Sequence, residues 1–277
     1  QANFGQSPSQ GTPNKKNSIY NSTALPGTLI RATPIIDSDT LWTKAGSPYL
    51  LESNSNSFPT VSAGASLTIE PGVTIKPLSC CYSALKVLGS VSAQGTSLDP
   101  IVITSAQATP AQGEWADILF ENTSKKSFLS WVTVEYGGYK AVSDQKISML
   151  TLKNADVTIS NVTIRSSAGN GIRIDGGDVK ISASALSKNL FAGMYVESGS
   201  PVIQNSTLNN NRMGIYVQGG SPLIELNTLN SNDQYPVFFA ASAAPALRSN
   251  QASGNGWYNG HYVGVASITQ HTKWTKD

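Results

Sequence analysis

One spacing constrains this chain more than any other feature. Leu150, Ile172, Met194, Ile215 and Val237 each open a short segment of alternating apolar and polar residues, and they follow one another at intervals of 22, 22, 21 and 22 residues. Two further apolar columns keep step: Ile159, Ile181, Ile203, Ile224 and Leu247, then Ile164, Leu186, Leu208 and Leu229. A fixed period in this range marks a solenoid, in which each repeat stacks on the next. Three short strands per repeat, with turn residues between them, describe one coil of a parallel β-helix. No segment within a repeat is long enough for a helix. Inward positions form apolar ladders. Asn189, Asn211, Asn232 and Asn255 form an asparagine column at a corner, where each amide can bond its neighbours above and below. Gly171, Gly193 and Gly214 precede the first strand of their coils and read as turn positions.

The first half carries the same pattern with longer excursions. Leu67–Ile69 and Val73–Lys76 flank Pro71-Gly72, and Leu85–Val87, Val91–Ala93 and Ile101–Thr104 make the next coil. Loops near 105–115 and 137–147 interrupt the period. Eight or nine coils stacked at about 4.8 Å would give a rod about 40 Å long. Residues 1–34 lack periodic apolar content and read as an extended arm that packs on the body or on a partner. Residues 35–60 are expected to cap the rod, 61–256 to form the parallel β-helix, and 257–277 to cap the far end, with Trp257, Tyr258, Tyr262 and Trp274 as packing residues.

Composition removes several function classes. The net charge is +2 and only 13% of residues are charged, so the clustered cations of a nucleic-acid binder are missing. No apolar run approaches the ~20 residues of a membrane span. A chain that opens at Gln1 without a charged and apolar leader reads as an exported product whose signal has been removed, so a secreted or cell-surface location is expected. Sequons at Asn21, Asn122, Asn161 and Asn205 are weak signals in so Asn-rich a chain. The adjacent pair Cys80-Cys81 suits neither a zinc clip nor relaxed disulfide geometry. It leaves free thiols, a strained vicinal disulfide or an intermolecular bridge as alternatives.

Ile69-Glu70-Pro71-Gly72-Val73-Thr74-Ile75, Pro100–Ser105, Gly113-Glu114-Trp115 through Ile118, and Val134-Glu135-Tyr136-Gly137-Gly138 resemble the right-handed parallel β-helix repeat proteins exported by bacteria. The likeness spans about 61–265. It implies the right-handed winding, which periodicity alone does not. It also implies adhesin-like or polysaccharide-associated roles, on a fold shared with pectate lyases and polygalacturonases.

The outward positions of the first strand hold the candidate site. Thr151, Arg173, Tyr195, Tyr216 and Phe238 form one column, and Lys153, Asp175, Glu197 and Gln218 form the one beside it, led by Glu121. Arg173, Asp175, Tyr195, Glu197, Tyr216 and Gln218 are the expected ligand-binding residues: rings to stack on sugars, carboxylates and amides to bond hydroxyls. Asp175 and Glu197, on adjacent coils, would also suit a calcium ion or a glycosidase pair. As a plain surface, Lys153 would pair with Asp175 and Arg173 with Glu197. No catalytic residue is assigned. The Asn-Thr-Asp, Asp-Asp, Gly-His-Gly and Arg-Ile-Lys patterns of polygalacturonases are missing, Gly260-His261-Tyr262 is no match, and His261 and His271 are the sole histidines. Thr133, Thr163, Thr207 and Thr228, broken by Ala185, form an outward ladder of the kind that orders ice-like water. The reading is a non-enzymatic adhesive or assembly subunit, self-associating through its arm and needing no cofactor. The alternative is a carbohydrate-binding module or polysaccharide-active enzyme, with ice binding third.

Overall fold

The computed structural model describes residues 19–20, 27–31, 35–55, 57–78, 81–139 and 146–264. They form an all-β solenoid with one 3-10 turn, Lys44–Gly46, as its sole helical element among the described residues. Three sheets run the length of the rod. Sheet A contains Thr74–Pro77, Val132–Glu135, Thr163–Arg165 and Thr207–Asn209; sheet B contains Ile118–Glu121, Ser148–Lys153, Asn170–Asp175, Ala192–Ser198, Met213–Val217 and Tyr235–Phe239; sheet C contains Ser66–Ile69, Val157–Ser160 and Val179–Ser182. Every pairing within them is parallel except Ile19–Tyr20, which runs antiparallel to Thr28–Arg31.

The apolar columns stack in the expected register. Leu150 aligns with Ile172, then Met194, Ile215 and Val237 on sheet B. Ile159, Ile181, Ile203, Ile224 and Leu247 align on sheet C. Alternation puts these side chains inside, and together with the sheet A column they make one continuous core. The winding exceeds the expected eight or nine coils. Sheet A has ten strands in parallel register, giving about ten turns. The additional coil comes from residues 35–60, expected to cap the rod, which contribute strands to all three sheets through Thr40–Trp42, Tyr49–Glu52 and Thr60–Val61. Trp42 and Tyr49 stack inside that coil, with ring centroids 4.7 Å apart. Of the expected arm, Thr28–Arg31 joins sheet A beside Tyr49–Glu52.

The corners are polar and buried. Asn189 donates to Asn211 at 2.9 Å, Asn211 to Asn232 at 3.3 Å and Asn232 to Asn255 at 3.0 Å, side chain to side chain. The same oxygens accept the backbone N–H of the preceding rung. A second column, Ser184, Ser206, Asn227 and Asn250, closes the opposite corner in the same way. Beside it, Asn161, Ala183, Asn205, Leu226 and Ser249 repeat a left-handed backbone in each coil. The three glycines are not turn residues. Gly171, Gly193 and Gly214 sit inside strands. A Cβ on Gly193 would lie 2.8 Å from the carbonyl oxygen of Gly214, and one on Gly214 would lie 2.4 Å from that of Pro236. Close approach between coils, rather than a positive φ, excludes a side chain there.

Candidate functional site

The outer face of sheet B has two zones. The first is an open cleft of about 380 Å³ over Ile118–Glu121, Ser148–Lys153 and Asn170–Asp175. Alternation turns Leu119, Thr151 and Arg173 outward to floor it, while Tyr139, Lys146 and Ile147 stand at its wall. The wall belongs to the second of the two loops that interrupt the repeat.

Charge in the cleft is ordered by ion pairs. Arg173 Nε donates to Glu197 Oε2 at 2.8 Å, its Nη2 also bonds Glu197, and Asp175 lies 3.6 Å from the same nitrogen. Lys146 holds the other oxygen of Glu197. Burial alone would raise the Glu197 pKa, but Lys146 and Arg173 outweigh it and hold the carboxyl below its ordinary value. Glu121 sits between Lys86 at 2.7 Å and Lys153 at 2.9 Å, and these ammonium groups lower its pKa in the same way.

Asp117 behaves oppositely. Ser83 Oγ donates to its Oδ1 and Thr151 Oγ1 to its Oδ2, both at 2.7 Å. Ser148 lies 2.9 Å from Thr151 Oγ1. Part of Asp117 reaches the cleft, but protein surrounds the carboxyl so closely that desolvation raises its pKa, against the two hydroxyls and Arg173. The cleft therefore juxtaposes cations, two ionised carboxylates and one carboxyl biased toward its neutral form.

The second zone is aromatic. Tyr195 and Tyr216 lie 5.1 Å apart with planes 4° from parallel, Tyr216 and Phe238 4.8 Å apart at 6°, and Phe238 and Tyr262 5.4 Å apart at 27°. Tyr216 donates from its hydroxyl to Gln218 Oε1 at 2.8 Å. Phe191, Ala192 and Met213 complete a small apolar cluster with Tyr195, outside the solenoid core.

Of the six expected binding residues, Arg173, Asp175 and Glu197 meet at one edge of the cleft. Tyr195, Tyr216 and Gln218 follow on the next two coils. The expected column linking Asp175 to Glu197 is broken: the register shifts after Ile174, so that Asp175 pairs with Ser198 and accepts its hydroxyl at 2.9 Å. The two carboxylates share only Arg173, and among the described residues no three metal-ligating side chains converge. Arg173 pairs with Glu197 as expected of a surface strand, whereas Lys153 pairs with Glu121 rather than Asp175. Tyr195 is only 3% exposed, so it is not an open platform. The threonine ladder stands in register on sheet A as Thr133, Thr163, Ala185, Thr207 and Thr228. Cys81 is disulfide-bonded, and Cys80 and His271 lie outside the described residues.

Asp117, Lys146 and Tyr139 escaped the sequence reading. They lie in interrupted parts of the repeat, where no period assigns a facing. The position of Asp117 just before the strand Ile118–Glu121 was the one available signal.

Residues 148–272 match the family described as the right handed beta helix region, and residues 36–127 match the pectate-lyase like beta helix domain. Two solved structures are similar to this chain. One is a double mutant of a periplasmic alginate epimerase, at 12% identity and a TM-score of 0.38, over 88% of this chain and 68% of that one. The other is the A-module of a mannuronan C-5 epimerase of Azotobacter vinelandii, at 11% identity and a TM-score of 0.38, over 90% of each chain. Comparison with curated proteins finds no match.

Proposed function

We propose that this right-handed β-helix is an exported polysaccharide-binding protein that takes a carboxylate-bearing sugar chain into the cleft of sheet B. One observation carries the reading: Lys146, Lys153 and Arg173 converge on an open cleft beside hydroxyl groups of Ser148 and Thr151. Polar side chains held by mutual hydrogen bonds at a concave surface suit recognition of hydroxyls and acidic groups. A disulfide-bonded Cys81 supports an oxidising compartment. Among the described residues no helix is long and apolar enough to cross a membrane.

Calorimetric titration with polygalacturonate, alginate, dextran and cellodextrin tests it. The expected result is binding of the acidic polymers, weakened about tenfold or more by Arg173→Ala. Equal affinity for neutral polymers, or no effect of Arg173→Ala, would sink the reading.

Asp117 favours a second reading, in which the bound chain is also a substrate. A carboxyl whose pKa is raised by burial, held by two hydroxyls beside the cleft, is placed to deliver or take up a proton. An Asp117→Asn variant that still binds acidic polymer, but no longer changes its size or composition, is the expected outcome. Wild-type protein that leaves every bound polymer chemically intact would leave recognition alone.

Self-association through the arm gains no support from its first described strand. Ile19–Tyr20 pairs with the chain's own Thr28–Arg31.

A further inference from the structure

The aromatic stack changes character at its last coil. Tyr195, Tyr216 and Phe238 cover one another's faces, because their planes are nearly parallel and their centroids about one strand spacing apart. Such rings offer edges to a ligand. Trp257 and Tyr258 differ. They are 57% and 65% exposed, among the most exposed large apolar side chains described. The Trp257 ring stands at 87° to Tyr235, 5.2 Å away, so it is turned out of the stack. Tyr258 lies parallel to Tyr235 at 6.4 Å. The backbone of Trp257 bonds Gln234, which places it at the corner beside sheet B, on the coil after Tyr235.

An exposed indole and phenol side by side at one corner offer apolar faces with polar edges, the surface that stacks on a sugar ring. Between them and the cleft, Tyr195, Tyr216 and Phe238 stand in register with Arg173, and Tyr235 contacts the rings of both Phe238 and Trp257. From the strand of Arg173 to the coil of Trp257 is four steps of sheet spacing, about 19 Å. A disaccharide cannot span that distance, and a longer chain lying along the rod can.

From this we infer that Trp257 and Tyr258 form a second, distal subsite that stacks on the apolar face of a sugar ring belonging to the chain whose acidic part lies in the cleft. The inference rests on the cleft reading for its direction but not for its chemistry. The cleft supplies charge recognition, and the corner supplies a contact indifferent to charge. Affinity then depends on chain length. Chains too short to reach the corner bind through the cleft alone, while longer chains add the aromatic contact intramolecularly.

The test uses the full chain and galacturonate oligomers of two lengths, the disaccharide and chains of about ten residues, long enough for the 19 Å span. Affinity is read by calorimetry and by tryptophan fluorescence. Trp257→Ala and Tyr258→Ala are expected to weaken long-chain binding roughly fivefold to tenfold and to leave the disaccharide unchanged. The long-chain fluorescence shift is expected to vanish in Trp257→Phe. Because both side chains are exposed, the variants should melt as wild type does, and that measurement accompanies the titration. Equal long-chain affinity in wild type and both alanine variants would overturn the subsite while leaving the cleft intact. Loss of long-chain affinity in Trp257→Ala with no effect of Arg173→Ala would overturn the cleft and, with it, the span from cleft to corner. Failure of wild type to bind either oligomer would overturn both.

Discussion

Tyr195 and Tyr216 stack with their planes 4° apart across neighbouring coils, and this contact removes from solvent the faces that a sugar would use. The column therefore contributes to stability before it serves as a ligand surface. Tyr216→Ala is expected to destabilise by about 2 kcal/mol, from lost stacking on both sides and partial burial. Tyr216→Phe keeps the ring and removes only the bond to Gln218, at about 0.5–1 kcal/mol. Denaturant midpoints of the two variants check the order. Equal losses would mean that the hydroxyl, not the ring, anchors the column.

The asparagine corner should be more sensitive. Asn211 accepts from the backbone and side chain of Asn189 and donates to Asn232 and the carbonyl of Leu186. Asn211→Ala strands buried donors on one rung and an acceptor on the next, and about 3 kcal/mol is expected. Asn209→Ala, two residues away on the outer surface, should cost little. Equilibrium unfolding of both variants is the measurement.

Asp117 gives a pH dependence of definite sign. Its folded pKa lies above its ordinary value of 3.8, so the native state holds the proton more tightly than the unfolded chain. The stability it contributes is fully present below 3.8 and is lost as pH rises through the folded value. Asp117→Asn, fixed in a neutral form, should gain on wild type across that rise and match it most closely under acid conditions. Melting curves from acid to neutral pH for both proteins decide it. A variant whose deficit grows with pH would contradict the burial argument.

Glu197 competes with any acidic ligand for Lys146 and Arg173. Glu197→Gln should tighten binding of polygalacturonate and steepen its salt dependence, since both cations are released to the ligand. Weaker binding would instead make Glu197 the residue that holds Arg173 in place.

Truncation should respect the observed strand rather than the compositional edge of the arm. Removing residues 1–26 takes away the two-residue strand Ile19–Tyr20 but leaves Thr28–Arg31 on sheet A, and the melting point should fall little. Removing 1–34 uncovers Tyr49–Glu52 and should lower it.

The sequence made the repeat legible because burial on one side enforces a two-residue alternation, and stacking enforces a fixed return length. Met194, Ile203 and Leu208 could be placed from spacing alone. The same logic failed at Glu197. A single register shift after Ile174 moves a side chain by one position without altering the apolar pattern that announces the strand. It also failed at Thr40–Trp42 and Tyr49–Glu52, whose coil is irregular in length. Tyr139 and Lys146 lie on an excursion where periodicity carries no information. The threonine ladder was correctly aligned, because Ile164 and Leu208 pin the positions beside it.

At the amide corner, Asn189, Asn211 and Asn232 each donate one N–H to the side chain on the next coil, while Asn211, Asn232 and Asn255 donate the other back to the carbonyls of Leu186, Leu208 and Leu229 on the coil before. Each of the two middle amides thus joins three successive coils, with donors aimed both ways along the axis. A coil cannot open at that corner without breaking bonds to both neighbours, so local opening there is expected to involve several coils together.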